Sequence, residues 1–225
     1  MRPFATLTLA STLAVAAWAA VTTGEPPTLM TERGKLLLSD DLSATPAKAW
    51  KAAKGTWEVA NGAWRGAERP ADKHGAVIRQ ALPFRNAVIQ YSFRLDGAKV
   101  TTFSINDAKG HLARVLIRPN GFTVQKDDRD HAGPDKVAVL QTVKMPIKAG
   151  EWHTLVIEIL GREMLARVES GQVGFGTHDA IADPKTNIGF TVAGQSAEFR
   201  HLRVWEAQPN PAWPANRANL AARQR

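Results

Sequence analysis

Residues 87–95 read AVIQYSFRL, and the alternation in this stretch decides the fold. Ile89, Tyr91, Phe93 and Leu95 take every second position, with Val88, Gln90, Ser92 and Arg94 between them. A period of two is the signature of a pleated strand with one buried face. The same rhythm recurs on both sides. It predicts strands at 35–38, 56–60, 63–66, 76–80, 100–106, 111–117, 121–126, 137–142, 152–160, 164–170, 172–176, 187–192 and 197–206. Asn61-Gly62 sits between two of these and is a strong hairpin signal, because both residues tolerate positive φ. Pro119-Asn120-Gly121, Lys148-Ala149-Gly150 and Ser170-Gly171 punctuate the rest. No amphipathic helical period intervenes. Many short strands joined by tight turns predict an all-β fold, a two-sheet antiparallel jelly-roll sandwich spanning 35–208.

The flanks read differently. Residues 1–19 carry Arg2, an uncharged apolar run from Phe4 to Trp18 and the small-x-small pattern Ala17-Trp18-Ala19. This is the pattern of a cleaved signal peptide, so a secreted or periplasmic protein is expected. Residues 20–34 are polar, Pro-containing and aperiodic, and are expected to be a flexible lead-in. Residues 209–225 break the strand pattern with three prolines and end as a tail, either a short surface helix or irregular chain. No later run is long enough for a membrane-spanning helix. The chain has no cysteine, so an exported domain must depend on its core and not on disulfides.

The formal charge is +8, but the Lys and Arg residues are scattered singly. That dispersal argues against nucleic acid as partner, which would need a dense basic patch or helix. Trp50, Trp57, Trp64, Trp152 and Trp205 fall in or near strands, where aromatics pack on a half-buried pleat; a sugar-stacking platform is the functional reading of one or two.

Functional residues concentrate in 106–135, NDAKGHLARVLIRPNGFTVQKDDRDHAGPD. Asn106, Asp107 and His111 surround one turn. Asp127, Asp128, Asp130 and His131 crowd the loop that follows Lys126. Hard carboxylate oxygens and an imidazole at this spacing could hold a divalent cation such as Ca²⁺, although the spacing matches no EF-hand or zinc signature; an acidic surface turn is the plainer reading. Strand alternation also suggests that Arg79, Gln90, Arg114 and Glu158 line one polar, concave sheet face with Asn106.

The chain resembles the secreted 3-keto-disaccharide hydrolase domain family over nearly its whole mature length. The resemblance rests on GTWEVANGAWRG, SINDAKGHLARVLI, GFTVQKDDRDHAGPD, GEWHTLVIEILG and NIGFTVAGQSAEFRHLRVWEA. It implies a concanavalin A-like jelly roll, similar in fold to laminarinases, and a carbohydrate partner. It also implies cleavage of an oxidised sugar. The chain lacks the Glu-x-Asp-x-Glu strand of related glucanases, since LVIEIL offers only Glu158, so the two-carboxylate retaining mechanism is not expected. A base acting beside the ketone is expected instead, from His131, Asp128 or Asp130. Arg79, Gln90, Asn106, Asp107, His111, Arg114, Lys126 and Glu158 are then the expected substrate-binding residues, in a monomer. A non-catalytic lectin-like module and a structural cell-surface interaction domain are the alternatives.

Overall fold

A computed structural model describes residues 25–223. The signal-peptide reading of 1–19 therefore lies outside the described residues. Among the described residues, thirteen strands pair throughout in antiparallel fashion. They are β1 (Thr31–Asp40), β2 (Trp50–Lys54), β3 (Thr56–Ala60), β4 (Ala63–Ala67), β5 (Ala76–Phe84), β6 (Ala87–Asp107), β7 (Gly110–Arg118), β8 (Gly121–Lys126), β9 (Ala138–Lys144), β10 (His153–Leu160), β11 (Glu163–Val168), β12 (Val173–Thr177) and β13 (Lys185–Pro209). One α-helix among the described residues, α1 (Trp213–Arg223), follows them.

Two long strands organise the molecule. β6 and β13 pair along almost their whole length, and the ladder is irregular between Ala193 and Ala197. There Gly97 (φ 74°) and Gly194 (φ 99°) adopt left-handed backbone, which a residue with a Cβ would resist. The pair thereby bends and contributes to both layers. The Asp-Gly at 96–97 reads as a break between two strands. Here it is a kink in one, because pairing with β13 resumes on either side.

The first layer holds the early half of β6 and the late half of β13 with β10, β11 and β12 on one side and β1, β4 and β3 on the other. In the second layer β2 and β5 flank the start of β13, and β7, β8 and β9 extend from the end of β6. Between the layers lies the predicted alternation: Ile89, Tyr91 and Phe93 are fully buried against Phe103, Ile105 and Phe190. Tyr91 stacks on Phe103 at 5.1 Å and meets Phe190 edge-on at 5.2 Å. Each such side chain contributes about 2–3 kcal/mol by leaving water, so this cluster dominates stability.

The N-terminal flank needs correction, and the tail takes the helical form of its two expected alternatives. Residues 25–34, expected as a flexible lead-in, are tied to the first layer. Met30 and Thr31 are fully buried, and β1 already starts at Thr31. The reason is Glu158, whose Oε1 accepts from Leu29 N (2.9 Å) and whose Oε2 accepts from Met30 N, Thr31 N and Thr31 Oγ1 (2.7, 2.7 and 2.8 Å). The tail is helical and docked: Trp213 packs on Phe175 at 5.2 Å and donates to Glu163 Oε2 at 3.0 Å.

Candidate functional site

The outward face of the second layer is built in register rows. Across β2, β5, β13, β6, β7 and β8, the successive partners are Lys51, Arg79, Gly189, Ser104, Arg114 and Gln125. Antiparallel partners share a face, and the residues on either side in sequence (Ile78, Phe190, Phe103, Val115, Val124) are in the core, so this row points outward. A second row, two residues along on β13 and β6 and three on β7, where the register shifts, runs Asn187, Asn106, His111. On the other side runs Thr191, Thr102, Leu116, Thr123, Thr142. Of this polar face, Thr102, Ser104, Asn106, Thr123 and Gln125 are each buried, sheltered by their longer neighbours.

Gly189 has a particular task in this row. A Cβ there would lie 2.4 Å from Ile78 O and 2.8 Å from Arg79 Cγ. Its absence lets the Arg79 stem cross the strand. Arg79 Nε is buried without a hydrogen-bond partner among the described residues. Burial and the neighbouring Arg114 both push the Arg79 guanidinium below its ordinary value. Arg114, by contrast, has a counter-ion: its Nε lies against Asp127 Oδ2. Asp127 also accepts from Gln125 Nε2 at 3.3 Å. Burial raises its carboxyl above the usual range, and Arg114 only partly opposes that.

His111 stands at the end of β7's outward row. Its Nδ1 donates to Asn106 Oδ1 at 2.9 Å, a direction fixed because Asn106 Nδ2 itself donates to Asn187 Oδ1 at 2.5 Å. The tautomer leaves Nε2 as a lone-pair site. Burial, then the charges of Arg114 and Arg79, lowers the imidazole to about 4, so it is neutral near pH 7. The His131 ring lies 5.7 Å away, centroid to centroid. Beside this row a cleft opens, lined by Asp107, Ala108, Lys109, Asp183, Pro184 and Thr186.

The expected residues thus divide. Arg79, Asn106, His111 and Arg114 come together on one face, with Asp127 and His131 at its rim. Gln90 and Glu158 do not join them: both lie on the outward face of the first layer. Gln90 accepts from Arg33 there at 3.1 Å, and Glu158, fully buried, grips the N-terminal segment. Strand parity put them on a polar face, but the face belongs to the opposite sheet.

The acidic loop is also spent on structure. Asp128 Oδ1 accepts from His131 N at 2.8 Å, and Asp130 Oδ1 from Ala132 N at 2.9 Å, as turn-forming aspartates do. Asp107 accepts from Lys109 N (2.7 Å) and from Arg129 Nε (2.8 Å), and Arg129 Nη2 reaches on to Asp183 at 2.5 Å. Lys126, almost fully buried, binds Asp135 and Lys136 O. Among the described residues no three His, Asp or Glu side chains gather to hold a metal ion. Asp127, Asp128, Asp130 and His131 are thus not gathered into one ligand cluster, and each carboxylate has a separate local partner.

The aromatic platforms are elsewhere too. Trp50 and Trp64 meet edge-on in the core at 5.0 Å. Trp205 lies under Arg33 at 4.8 Å, and Trp152 is held between Arg94 (5.0 Å) and Arg200 (3.9 Å). Sequence reasoning missed Lys51, Asn187 and Gly189. The last two were legible as the outward positions of 187–192, alternating with Ile188, Phe190 and Val192. Lys51 was hidden in the Ala-rich WKAAK, which carries little strand signal.

No family model and no curated protein matches the sequence. Solved structures do match in fold. The carbohydrate-binding module CBM66 from Bacillus subtilis superposes with a TM-score of 0.56 at 14% identity, over 70% of this chain and 96% of that one. The β-glucanase of Bacillus licheniformis gives 0.59 at 10% identity, over 78% and 100%. A Bacillus subtilis protein of unknown function with a galectin-like fold gives 0.60 at 12%, over 80% and 100%. Among the described residues, no helix is long and apolar enough to cross a membrane. The chain has a concanavalin A-like jelly-roll fold.

Proposed function

We propose that this domain binds a carbohydrate on the outward face of its second layer, and that it cleaves an oxidised, 3-keto sugar there with base assistance. The observation that carries the reading is His111, oriented by Asn106 through Nδ1 with Nε2 unpaired among the described residues, on the same face as Arg79 and Arg114, whose charges and the ring's burial keep it neutral. A ketone acidifies the neighbouring C–H. His111 Nε2 takes that proton as the electron pair moves toward the carbonyl oxygen, where Arg79 or Arg114 stabilises the developing charge. Return of the pair expels the glycosidic oxygen β to the ketone, and that oxygen recovers a proton from His111. Addition of water to the unsaturated product then completes a net hydrolysis.

The likeness to a carbohydrate-binding module and to a β-glucanase supports a sugar as partner. The absent Glu-x-Asp-x-Glu strand supports a route without paired carboxylates. The signal-like sequence pattern of residues 1–19 supports an exported setting. The same face with no turnover is the lectin-like alternative, favoured by the low basicity of His111. Incubation with a 3-keto disaccharide, reading released monosaccharide, tests the proposal. Wild type should release sugar, and His111→Gln should be about 10²-fold slower or worse, the loss expected on removing a general base. Binding without release would leave only the lectin-like reading. Neither binding nor release would remove both.

A further inference from the structure

The two arginines of the row are not equivalent. Arg114 is neutralised by Asp127 in direct contact. Among the described residues Arg79 forms no ion pair: burial and the like charge of Arg114 both disfavour its charged form, and its Nε is buried with no acceptor. Its register neighbour on β2 is Lys51, exposed and forming no ion pair among the described residues. Arg79 is half-buried, and a cation partly withdrawn from water without a counter-ion on its own chain is suited to receive an anion from outside. Between Arg79 and Arg114 lie only Gly189 and Ser104, the two smallest residues of the row. Three strand spacings, roughly 14 Å from one arginine Cα to the other, therefore separate the two arginines with only small side chains between them.

We infer that the sugar taken by this face carries an anionic substituent, a carboxylate or a sulfate ester, held by Arg79 and Lys51. The inference rests on the carbohydrate reading above and narrows it: Arg114, with Asp127, serves the neutral ring, and Arg79 serves the acid. Nucleic acid is the competing polyanion. The three rows contain no Phe, Tyr or Trp, the large rings on which successive bases stack, which argues against it.

Calorimetry with size-matched oligosaccharides at low and moderate salt decides the matter. A uronate oligomer, a sulfated oligomer and a neutral glucan oligomer are compared, with single-stranded DNA of similar charge as control. At least one acidic oligomer should bind about 10-fold more tightly than the neutral one, and Arg79→Gln should erase that advantage, the change in affinity that about 1.4 kcal/mol gives. Arg79→Lys should restore part of it, since a lysine keeps the charge but not the fork. Thermal melting of each variant separates lost binding from lost folding. Which oligomer wins separates carboxylate from sulfate. Equal binding of acidic and neutral oligomers, with Arg79→Gln unchanged, would overturn the inference and leave the carbohydrate reading intact. DNA bound as tightly as the acidic oligomers, with the same loss in Arg79→Gln, would overturn it in favour of a general polyanion surface. No saccharide bound at all would remove the parent reading.

Discussion

Glu158→Gln should destabilise the domain by about 2–4 kcal/mol while leaving sugar binding unchanged. The carboxylate accepts four hydrogen bonds from residues 29–31, three of them on Oε2. Glutamine has a single acceptor oxygen. Placing that oxygen where Oε2 was keeps three bonds but turns them from charge-assisted to neutral, a loss of roughly 1 kcal/mol each. The amide NH₂ would then face the Leu29 N–H, and an orphaned donor adds about 1–3 kcal/mol. The simple total overshoots, because residues 29–31 can swing toward water and removal of a buried charge returns some desolvation energy. Urea unfolding at pH 7, followed by tryptophan fluorescence, gives the number, and Thr31→Val should cost only about 1 kcal/mol by losing one bond. A Glu158→Gln variant within about 1 kcal/mol of wild type would refute the anchoring argument. So would a loss of sugar affinity as large as that of Arg79→Gln, which would return Glu158 to the binding face.

Two further predictions concern the candidate site. His111 is lowered from 6.5 to about 4 in the folded chain, so between those pH values the unfolded chain binds a proton that the native one refuses. Stability should therefore fall as pH drops from 6.5 toward 4, with no contribution from this group above 6.5. The upper bound is about 3 kcal/mol at 1.36 kcal/mol per unit, and partial exposure of the ring reduces it to about 1–2 kcal/mol. His111→Gln should show a shallower acid slope in pH-dependent urea unfolding. An identical slope would show that the imidazole titrates normally. Gly189→Ala should cost about 1–3 kcal/mol and weaken sugar binding, since its Cβ meets backbone at Ile78 O and displaces Arg79. A variant that melts and binds like wild type would mean that the Arg79 stem does not need the gap.

The fold was legible because its cause is periodic. Ile89, Tyr91 and Phe93 announce a buried face through residue type alone, and no tertiary fact overrides them. What periodicity cannot state is which of two outward faces a residue occupies: Glu158 and Arg114 have the same parity but lie on opposite sides of the sandwich. That difference depends on which strands pair, which is long-range. The acidic loop misled for a related reason. Asp128 and Asp130 look like ligands when written in a row, yet each satisfies a backbone N–H two or three residues ahead, a local demand invisible until the turn is formed. Gly189 shows the converse. Its meaning appears only once Arg79 of β5 is placed beside it.

Histidine ring resonances offer the sharpest check on the proposed site. In ¹⁵N-labelled protein titrated with a 3-keto disaccharide or an acidic oligosaccharide, His111 should shift most and His131 next, being 5.7 Å from it. His178, which caps a backbone turn through Ala180 N, and His201, exposed beside Asp41, should stay unmoved. Shifts at His178 or His201 without shifts at His111 would place the sugar elsewhere, and the outward face of the second layer would no longer be the site.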